Sequence, residues 1–431
     1  MLDHKVNRMK TSISIMLALA AGFLPGAAFA QTALTWEQIK QRFEATNPTL
    51  MASQANIDES RAAEITAYLR PNPEFSLTAD GLQVGSTNAG IWRPLSGVFE
   101  TPAVSYLHER RHKRELRRDS ARQSTSIAES SYSDEERNLL FNLRTAFVQV
   151  LLAKAVLENA QENLAYWDRE LNVNRMRFRA GDLAQVDLER LELQRVQFES
   201  DYQTALTNLR TAKIQLLMLL AQRTAIDQFD VAGPFDYSDR LLPMEAYRDA
   251  AMENRPDLKA AVQNAELAKI NHQLAVANGS TDPTFSLWYT YNSSTSNLFA
   301  NQSIGGNVSI PLRIFDRNQG EKARTQIDIG RNERLLRAAQ AQVFSDVDSA
   351  YVTIVSALNL LRPYKDKYLK LAEDARDRIS FSYRNGGASL LDYLDAEKAY
   401  RDTRLAYINL VGSYLAAAAQ MNMAVGREVI P

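Results

Sequence analysis

The sequence contains no cysteine. This absence excludes disulfide bonds and thiolate metal sites, and it excludes a cysteine near the N-terminus that could carry a lipid anchor. Glycine and proline are scarce, with 17 and 13 residues of 431, fewer than we expect in an all-β protein of this size. Neither sign of charge dominates, because 50 lysine and arginine residues stand against 51 aspartate and glutamate residues. A nucleic-acid partner, which usually requires a basic protein, is therefore not expected.

Long apolar runs are missing after the first thirty residues, so no later segment is expected to cross a membrane as a helix. Residues 1–30 have the three parts of a secretory signal peptide: basic residues, a short apolar run over Ile13–Leu24, and the small-residue pattern Ala28-Phe29-Ala30. A transmembrane anchor is the alternative, but the run is shorter than the roughly 20 residues that a bilayer requires. An exported chain without a spanning helix enters a membrane only through β-strands.

The sequence after residue 30 repeats itself. Asn47–Leu50 corresponds to Arg255–Leu258, and further matches follow at an almost constant offset along both halves. A chance match would not keep its register over such a length. Residues 31–242 and 243–431 are therefore predicted to be two structural repeats, each with a helix, two strands, a long helix and a further helix.

Apolar residues recur every three or four positions over long stretches. One series runs from Leu139 through Leu143 and Ala146 to Leu171. This period of about 3.5 residues is typical of coiled-coil helices. Helices of a compact bundle would be capped after about 8–20 residues. Nothing interrupts the pattern over Val104–Met176, which predicts a helix about 110 Å long and a protein shaped as a rod or a tube wall.

Four short segments are predicted to be β-strands, at about 73–84, 96–103, 283–293 and 302–312. Their alternation of apolar and polar side chains fits a tilted membrane strand and a half-buried soluble sheet equally well. The number of strands indicates that several chains would combine their strands in one barrel if these strands lie in a membrane. Four strands cannot close a barrel, and lipid does not tolerate an open sheet edge. Two chains would supply eight strands and three chains twelve, and about twelve strands leave a lumen.

The doubled order of elements and the motifs at its turns resemble the TolC family of outer-membrane efflux proteins over Trp36–Glu428. The most diagnostic motifs are the turns Arg177–Gly181 and Ser382–Gly386 and the segment Leu391–Ala396 that follows the second turn. The segment Ile310–Gly320 is similar to the branch that serves heavy-metal exporters of the cobalt-zinc-cadmium (CzcC) type. The resemblance implies a mainly α fold with four membrane strands per chain. It also implies a homotrimer with a twelve-stranded β-barrel, continued by an α-helical barrel of long antiparallel coiled-coil helices.

Two pairs of residues are candidates for a gate. Asp392 and Asp395 lie three residues apart, which fits a solvated helix start where acids favour the positive end of the helix dipole. By resemblance they face the tunnel at its periplasmic tip, where three copies would form two carboxylate rings that favour cations. Asp187 and Tyr383 match family positions that hold neighbouring helices together when the tip is closed. The arginine partner of some family members is replaced here by Ala388.

The predicted helix turns contain Gly181, Gly386 and Gly387. Glycine allows a tight reversal because it adopts positive φ without strain, and this need alone explains all three residues. The resemblance adds that the two tips dock on the hairpins of a periplasmic adaptor, with Arg177 and Arg384 beside them.

His108 and His112 are four residues apart on a predicted helix, a spacing that can place two imidazoles on one metal ion. No cysteine and no third histidine accompanies them, so the pair is a metal candidate by spacing alone. They belong to the basic run His108–Arg118, which follows the second predicted strand and would lie under the inner leaflet of the outer membrane. Contact with phospholipid headgroups and a solvated surface both fit this run.

Motifs of catalysis are missing from the sequence. No phosphate loop, nucleophile elbow or zinc-protease helix occurs, so we expect neither an enzyme nor a cofactor. The expected function is a passive outer-membrane channel that extends into the periplasm and works with an adaptor and an inner-membrane pump of the RND type. Heavy-metal cations are the expected cargo, and drugs or other small molecules are the alternative. A periplasmic coiled-coil adaptor is the rival class, but an adaptor would have one helical hairpin, and two are predicted here.

Overall fold

The computed structural model describes residues 33–86, 90, 92, 94, 95, 98–292 and 301–430. The predicted signal peptide lies outside these residues, and so do residues 96, 97 and 293 of two predicted strands. The first half of the chain forms α1 (Trp36–Thr46), α2 (Pro48–Ala67), β1 (Glu74–Asp80), β2 (Phe99–Leu107), α3 (Lys113–Ala180) and α4 (Gln185–Leu219).

The second half has a similar succession of elements. These are α5 (Met244–Asn254), α6 (Pro256–Asn278), β3 (Thr284–Asn292), β4 (Gln302–Ser309), α7 (Gln319–Pro363), α8 (Leu369–Arg384) and α9 (Leu390–Val425). A π-helical turn over residues 364–368 joins α7 to α8, so the helical backbone continues from one to the other.

Proline starts the second helix of each half. The Asn47 side chain caps α2, since its oxygen accepts hydrogen bonds from the N–H groups of Thr49 (2.9 Å) and Leu50 (3.1 Å). Pro48 then occupies the first helical position, where its missing N–H would have had no partner. Pro256 starts α6 in the same way.

The boundary between β2 and α3 differs from the prediction. The sequence predicts a helix over Val104–Met176, but α3 runs over Lys113–Ala180, and Val104 lies in β2. Val104 pairs with Phe75 of β1 and with Leu287 of β3. The prediction was wrong because a local pattern cannot show that two distant strands satisfy the backbone hydrogen bonds of this segment.

The strands form one antiparallel sheet in the order β1-β2-β3-β4, and the pairing of β2 with β3 joins the two halves of the chain. Its register places apolar side chains on one face and mainly serine, threonine and asparagine on the other. The apolar face has the rows Tyr106, Phe285 and Val308; Phe75, Val104 and Leu287; Tyr289 and Ile304. In the single chain this face is open, with Phe75 68% and Ile304 76% exposed. Such a division of faces is typical of strands in a membrane barrel.

Among the described residues, three clusters of buried side chains hold the helices together. The first lies between α1, α3 and α4 and includes Phe43 and Leu216. The second lies between α5, α7 and α9 and includes Tyr247 and Ile354. The third lies near the two helix turns and is built around Trp167.

One stretch of α3 is more apolar than we expected from the sequence. Among the described helices, α3 alone has an 18-residue window, of mean hydropathy 1.5, that is apolar enough to cross a membrane by length and composition. Packing explains its composition, because the adjacent residues Phe147 and Val148 are buried in different clusters. This helix is apolar on two sides because it packs against both halves of the chain.

Candidate functional site

The long helices reverse direction at two turns, and the candidate site is the tip that these turns form. Between α3 and α4, Gly181 has a φ of +84°. The N–H of Gly181 donates to the Phe178 carbonyl (3.1 Å), and that of Asp182 donates to the Arg177 carbonyl (2.8 Å). No described atom lies within 4 Å of the position that a Cβ on Gly181 would occupy. The backbone conformation, and not a lack of space, therefore favours glycine here.

The second turn, between α8 and α9, has a similar construction. Gly386 has a φ of +76°, and its N–H donates to the Tyr383 carbonyl (3.1 Å). The N–H of Gly387 donates to the Ser382 carbonyl (2.8 Å). The two turns thus use the same kind of glycine reversal at equivalent places in the two halves.

Asp392 and Asp395 lie in the first turns of α9, and both are exposed. Asp392 completes a helix cap: its carboxylate accepts hydrogen bonds from the Ser389 hydroxyl (2.7 Å) and the Ser389 N–H (3.1 Å). These hydrogen bonds hold the pKa of Asp392 below its usual value. A ring of neighbouring carboxylates would act in the opposite direction, because like charges raise a carboxylate pKa.

An aromatic stack crosses the tip between the two halves of the chain. The rings of Trp167 and Tyr393 are nearly parallel, with centroids 6.2 Å apart, and those of Tyr393 and Tyr383 are 4.9 Å apart. The Arg177 guanidinium lies 5.2 Å from the centroid of the Tyr383 ring. The stack therefore ties α3 to α8 and α9 by ring packing and a cation–π contact.

Of the candidate gate pair Asp187 and Tyr383, Tyr383 belongs to this stack and Asp187 lies near it. Burial raises the pKa of Tyr383, the positive charge of Arg177 opposes that rise, and the negative charge of Asp187 adds to it. The Tyr383 hydroxyl donates to Asn174 Oδ1 (3.2 Å) in the same chain. Asp187 is one-third exposed, and its Oδ1 lies 3.8 Å from an Nη of Arg190. The structure thus places Arg177, Asp187 and Tyr383 in one region of the tip.

Two buried carboxylates lie beneath the stack. Glu170 on α3 is 7% exposed and forms an ion pair with Arg384. Glu397 on α9 is 8% exposed and accepts a hydrogen bond from the Tyr166 hydroxyl (2.8 Å). Burial raises the pKa of Glu397, and the Tyr166 hydrogen bond and the Arg376 charge oppose the rise. Buried carboxylates are costly unless they are paired, and here each has a partner from the other half of the chain.

Sequence reasoning missed several residues of the tip. Trp167 was visible only as one position of the apolar series of α3, and Tyr393 only as part of the motif after the second turn. The buried acids Glu170 and Glu397 had no signal of their own. The only indication of these residues in the sequence was their place at inward positions of a coiled-coil pattern, where a tryptophan or an acid is unusual.

The two candidate metal histidines are not on a helix. His108 lies in the connection after β2, and His112 is the N-cap of α3 with a left-handed φ of +55°. The spacing argument was wrong because it assumed a helix in this segment. Among the described residues, no group of three or more histidines or carboxylates is placed to hold a metal ion.

Comparison with known proteins agrees with the fold. The family model described as "Outer membrane efflux protein" matches residues 40–222 and 247–427. Outer membrane protein TolC of Vibrio cholerae serotype O1 is 22% identical over 428 residues, 97% of this chain and 96% of that protein. The cobalt-zinc-cadmium resistance protein CzcC of Cupriavidus metallidurans is 23% identical over 401 residues, 91% of this chain and 90% of that protein.

Solved structures give the same fold. The chain superposes on CusC with a TM-score of 0.76 and 18% identity, covering 91% of this chain and 92% of that one. It superposes on VceC of Vibrio cholerae with a TM-score of 0.74 and 16% identity, covering 91% and 96%. The resemblance inferred from the sequence is thereby confirmed. The chain belongs to the family of outer membrane efflux proteins, and it is an efflux channel protein of the outer membrane that extends into the periplasm.

Proposed function

We propose that three copies of the chain form one channel, and that a periplasmic adaptor and an inner-membrane RND pump deliver its cargo. The open edges of the sheet carry this proposal. Among the described strands, β1 pairs only with β2, and β4 pairs only with β3. Unpaired backbone groups are not tolerated in lipid, so β4 of one copy must pair with β1 of the next. An even number of strands per chain keeps every such pair antiparallel.

The faces of the sheet support a channel with a wet interior. Closing the sheet with the apolar rows outward places Phe75, Leu287 and Ile304 against lipid. The opposite face, with Ser76, Thr290 and similar residues, then faces the lumen. Three copies supply twelve strands, which leave an open lumen, whereas the eight strands of a dimer would be filled by their own side chains.

Heavy-metal cations are the proposed cargo. The relative named for cobalt, zinc and cadmium resistance supports this choice, since it matches 91% of the chain. The exposed carboxylates Asp392 and Asp395 at the tip also favour cations at the entrance, if three copies bring them around one axis. Organic compounds are the alternative cargo, and the relatives named only as TolC are compatible with this alternative.

The tip is the proposed gate and the proposed docking surface. Asp187 and Tyr383 are proposed to act in closing it. Arg177 and Arg384 are engaged within the chain, the first against the Tyr383 ring and the second with Glu170. Docking on an adaptor would therefore rely on the backbone of Gly181, Gly386 and Gly387 and on exposed apolar side chains beside them, which include Phe178, Phe381 and Leu391.

The assembly is tested by the mass of the protein in detergent. We expect three copies per particle and ion conductance when these particles are added to a planar lipid bilayer. A stable monomer that has the full β content by circular dichroism would contradict the proposal, because its sheet would then be complete without partners.

The cargo is tested separately, in a bacterial strain that lacks its own efflux channels and expresses this chain with its adaptor and pump. We expect higher tolerance to cobalt, zinc or cadmium. Drug tolerance without metal tolerance would favour the alternative cargo and leave the trimer proposal intact.

A further inference from the structure

A basic cavity lies where the sheet meets the helices. It has a volume of about 440 Å³ and lies beside the connection between β2 and α3. Five arginine or lysine side chains line it against two glutamates: Arg70, Arg110, Arg111, Lys113 and Arg114, with Glu109 and Glu115. The excess of positive charge makes it a candidate anion site.

The acids near this cavity already have partners. Glu109 forms an ion pair with Arg117, and Glu115 with Arg114 (3.2 Å). Asp282, at the start of the second strand pair, binds the ammonium of Lys113 (2.5 Å). These pairs neutralise the negative charge around the cavity and use two of its five lining cations, Lys113 and Arg114, because Arg117 does not line the cavity.

Three arginines remain available. Within the described part of the chain, no carboxylate lies within ion-pair distance of Arg70, Arg110 or Arg111, and all three side chains are exposed. Guanidinium groups bind phosphate and carboxylate oxygens in a bidentate way, so this set suits an anionic ligand such as a phosphate group more than a neutral ligand.

The backbone holds the arginines in place. Arg111 and His112 both have left-handed φ, at +59° and +55°. This conformation strains a residue that has a side chain and persists only where the surroundings enforce it. The N–H of Arg110 is fixed by Asp282 Oδ1 (2.9 Å), and that of His108 by the Pro283 carbonyl (2.9 Å). The basic turn is therefore a built feature of the fold and is tied to the second half of the chain.

The cavity adjoins the apolar face of the sheet. Tyr106 lines the cavity and also starts the lowest apolar row, where it pairs with Phe285. Phe285 is 47% exposed, and Leu287 in the next row is 63% exposed. A ligand with a phosphate in the cavity could lay a hydrocarbon chain along these rows, which a free phosphate could not use.

The equivalent connection in the second half has similar chemistry. Between β4 and α7 it presents Arg313, Arg317 and Phe315, whose side chain is 91% exposed. An aromatic side chain beside arginines, at the end of a membrane strand, is typical of the interface between lipid and water. Both connections thus lie at the membrane boundary on the helical, periplasmic side.

We propose that the cavity lined by Arg70, Arg110 and Arg111 binds the phosphate headgroup of an anionic phospholipid of the inner leaflet. The acyl chains lie on the apolar rows that begin at Tyr106. The site rests on the proposed barrel, in which the apolar rows face lipid, and not on the proposed cargo.

The test is lipid binding by the intact protein in detergent, measured by native mass spectrometry at low salt. The probes are phosphatidylglycerol and phosphatidylcholine with the same acyl chains. We compare the wild type with the variant Arg70→Gln, Arg110→Gln, Arg111→Gln. The matched control Arg210→Gln, Arg223→Gln, Lys259→Gln removes the same charge from exposed residues away from the strands. We expect phosphatidylglycerol to bind the wild type and the control equally tightly. We expect its affinity for the triple variant to be lower by a factor of about ten or more.

Three results would overturn the proposal. The triple variant could bind phosphatidylglycerol as tightly as the wild type does. Phosphatidylcholine could bind the wild type as tightly as phosphatidylglycerol. Millimolar inorganic phosphate could displace the lipid completely, which would make the cavity a site for free anions. An unchanged melting temperature of the triple variant shows that its weaker binding reflects lost contacts with the lipid. If the triple variant is unstable, the single variant Arg111→Gln replaces it, and its affinity for phosphatidylglycerol is expected to fall about fivefold.

Discussion

At the scale of single residues, the tip depends on buried charges with partners from the other half of the chain. Glu170 is paired with Arg384, and Glu397 with the Tyr166 hydroxyl. The second pair is the weaker one, because a neutral hydroxyl compensates the burial of a carboxylate less well than a guanidinium does. Burial raises the pKa of Glu397 for this reason.

Replacing Glu397 by glutamine should stabilise the tip at neutral and alkaline pH. A carboxyl group whose folded pKa is raised contributes fully below its unfolded value, near 4.5, and loses that contribution as the pH rises through the folded pKa. We expect Glu397→Gln to slow hydrogen exchange of tip peptides at pH 8, by a free energy on the order of 1 kcal/mol, and to change little at pH 4. Hydrogen exchange corrected for the intrinsic effect of pH measures this.

Four side chains face Glu397: Tyr166 and Glu170 from α3, and Arg376 and Asp377 from α8. The control for that experiment is a carboxylate outside this set. Glu373→Gln removes an exposed carboxylate from α8 and should leave exchange of the tip unchanged at both pH values. If Glu397→Gln exchanges as fast as the wild type at pH 8, burial does not strain this carboxylate.

At the scale of elements, the backbone conformation of the two helix turns requires glycine. Gly386 has positive φ, whereas Gly330 lies within the regular helix α7, and for neither does a described atom crowd the position of a Cβ. The same substitution should therefore have opposite effects at the two places, for reasons of backbone conformation alone.

Gly386→Ala should destabilise the α8–α9 turn by about 1 kcal/mol, because alanine is strained at positive φ. Gly330→Ala should stabilise α7 by about 1 kcal/mol, because alanine is the better helix former. Hydrogen exchange of the surrounding peptides should become about fivefold faster in the first variant and about fivefold slower in the second, with strand peptides unaffected in both. Equal effects of the two substitutions would show that the turn does not need positive φ.

At the scale of the whole molecule, function depends on what three copies bring together. One chain has an incomplete sheet at one end of its helices and exposed acids at the other. In the single chain, Ser389 lowers the pKa of Asp392. Assembly around one axis would place like charges close together and would draw cations into the entrance.

The variant Asp392→Asn with Asp395→Asn should lower the preference for cations over anions in a planar bilayer and weaken block by multivalent cations. Barrel assembly should not change, because both residues lie at the opposite end of the helices from the strands. Single-channel recording in a salt gradient, read as a reversal potential, is the measurement. Asp58→Asn with Glu59→Gln removes two exposed acids from α2 and should leave the reversal potential as in the wild type. A wild-type reversal potential in the first variant would mean that Asp392 and Asp395 are ordinary helix-start acids.

Periodic and local features could be predicted from the order of residues alone. The apolar series through Leu143 and Leu171 predicted long helices, because each turn of a coiled coil repeats the same requirement. Gly181 and Gly386 marked the reversals, since positive φ is a property of single residues. The alternation in β3 marked a strand, and the motifs at the turns identified the family.

Features that join distant parts of the chain became visible in the folded protein and not before. The end of β2 at Leu107 depends on strands β1 and β3, and the local helical pattern misplaced it. The stack of Trp167, Tyr393 and Tyr383 joins residues of the two halves, and so does the pair of Glu170 with Arg384. The basic cavity likewise needs the fold, because partners from other elements neutralise some of its charges and leave Arg70, Arg110 and Arg111 available. Charge pairing and ring stacking act through space, so they leave no periodic trace in the order of residues.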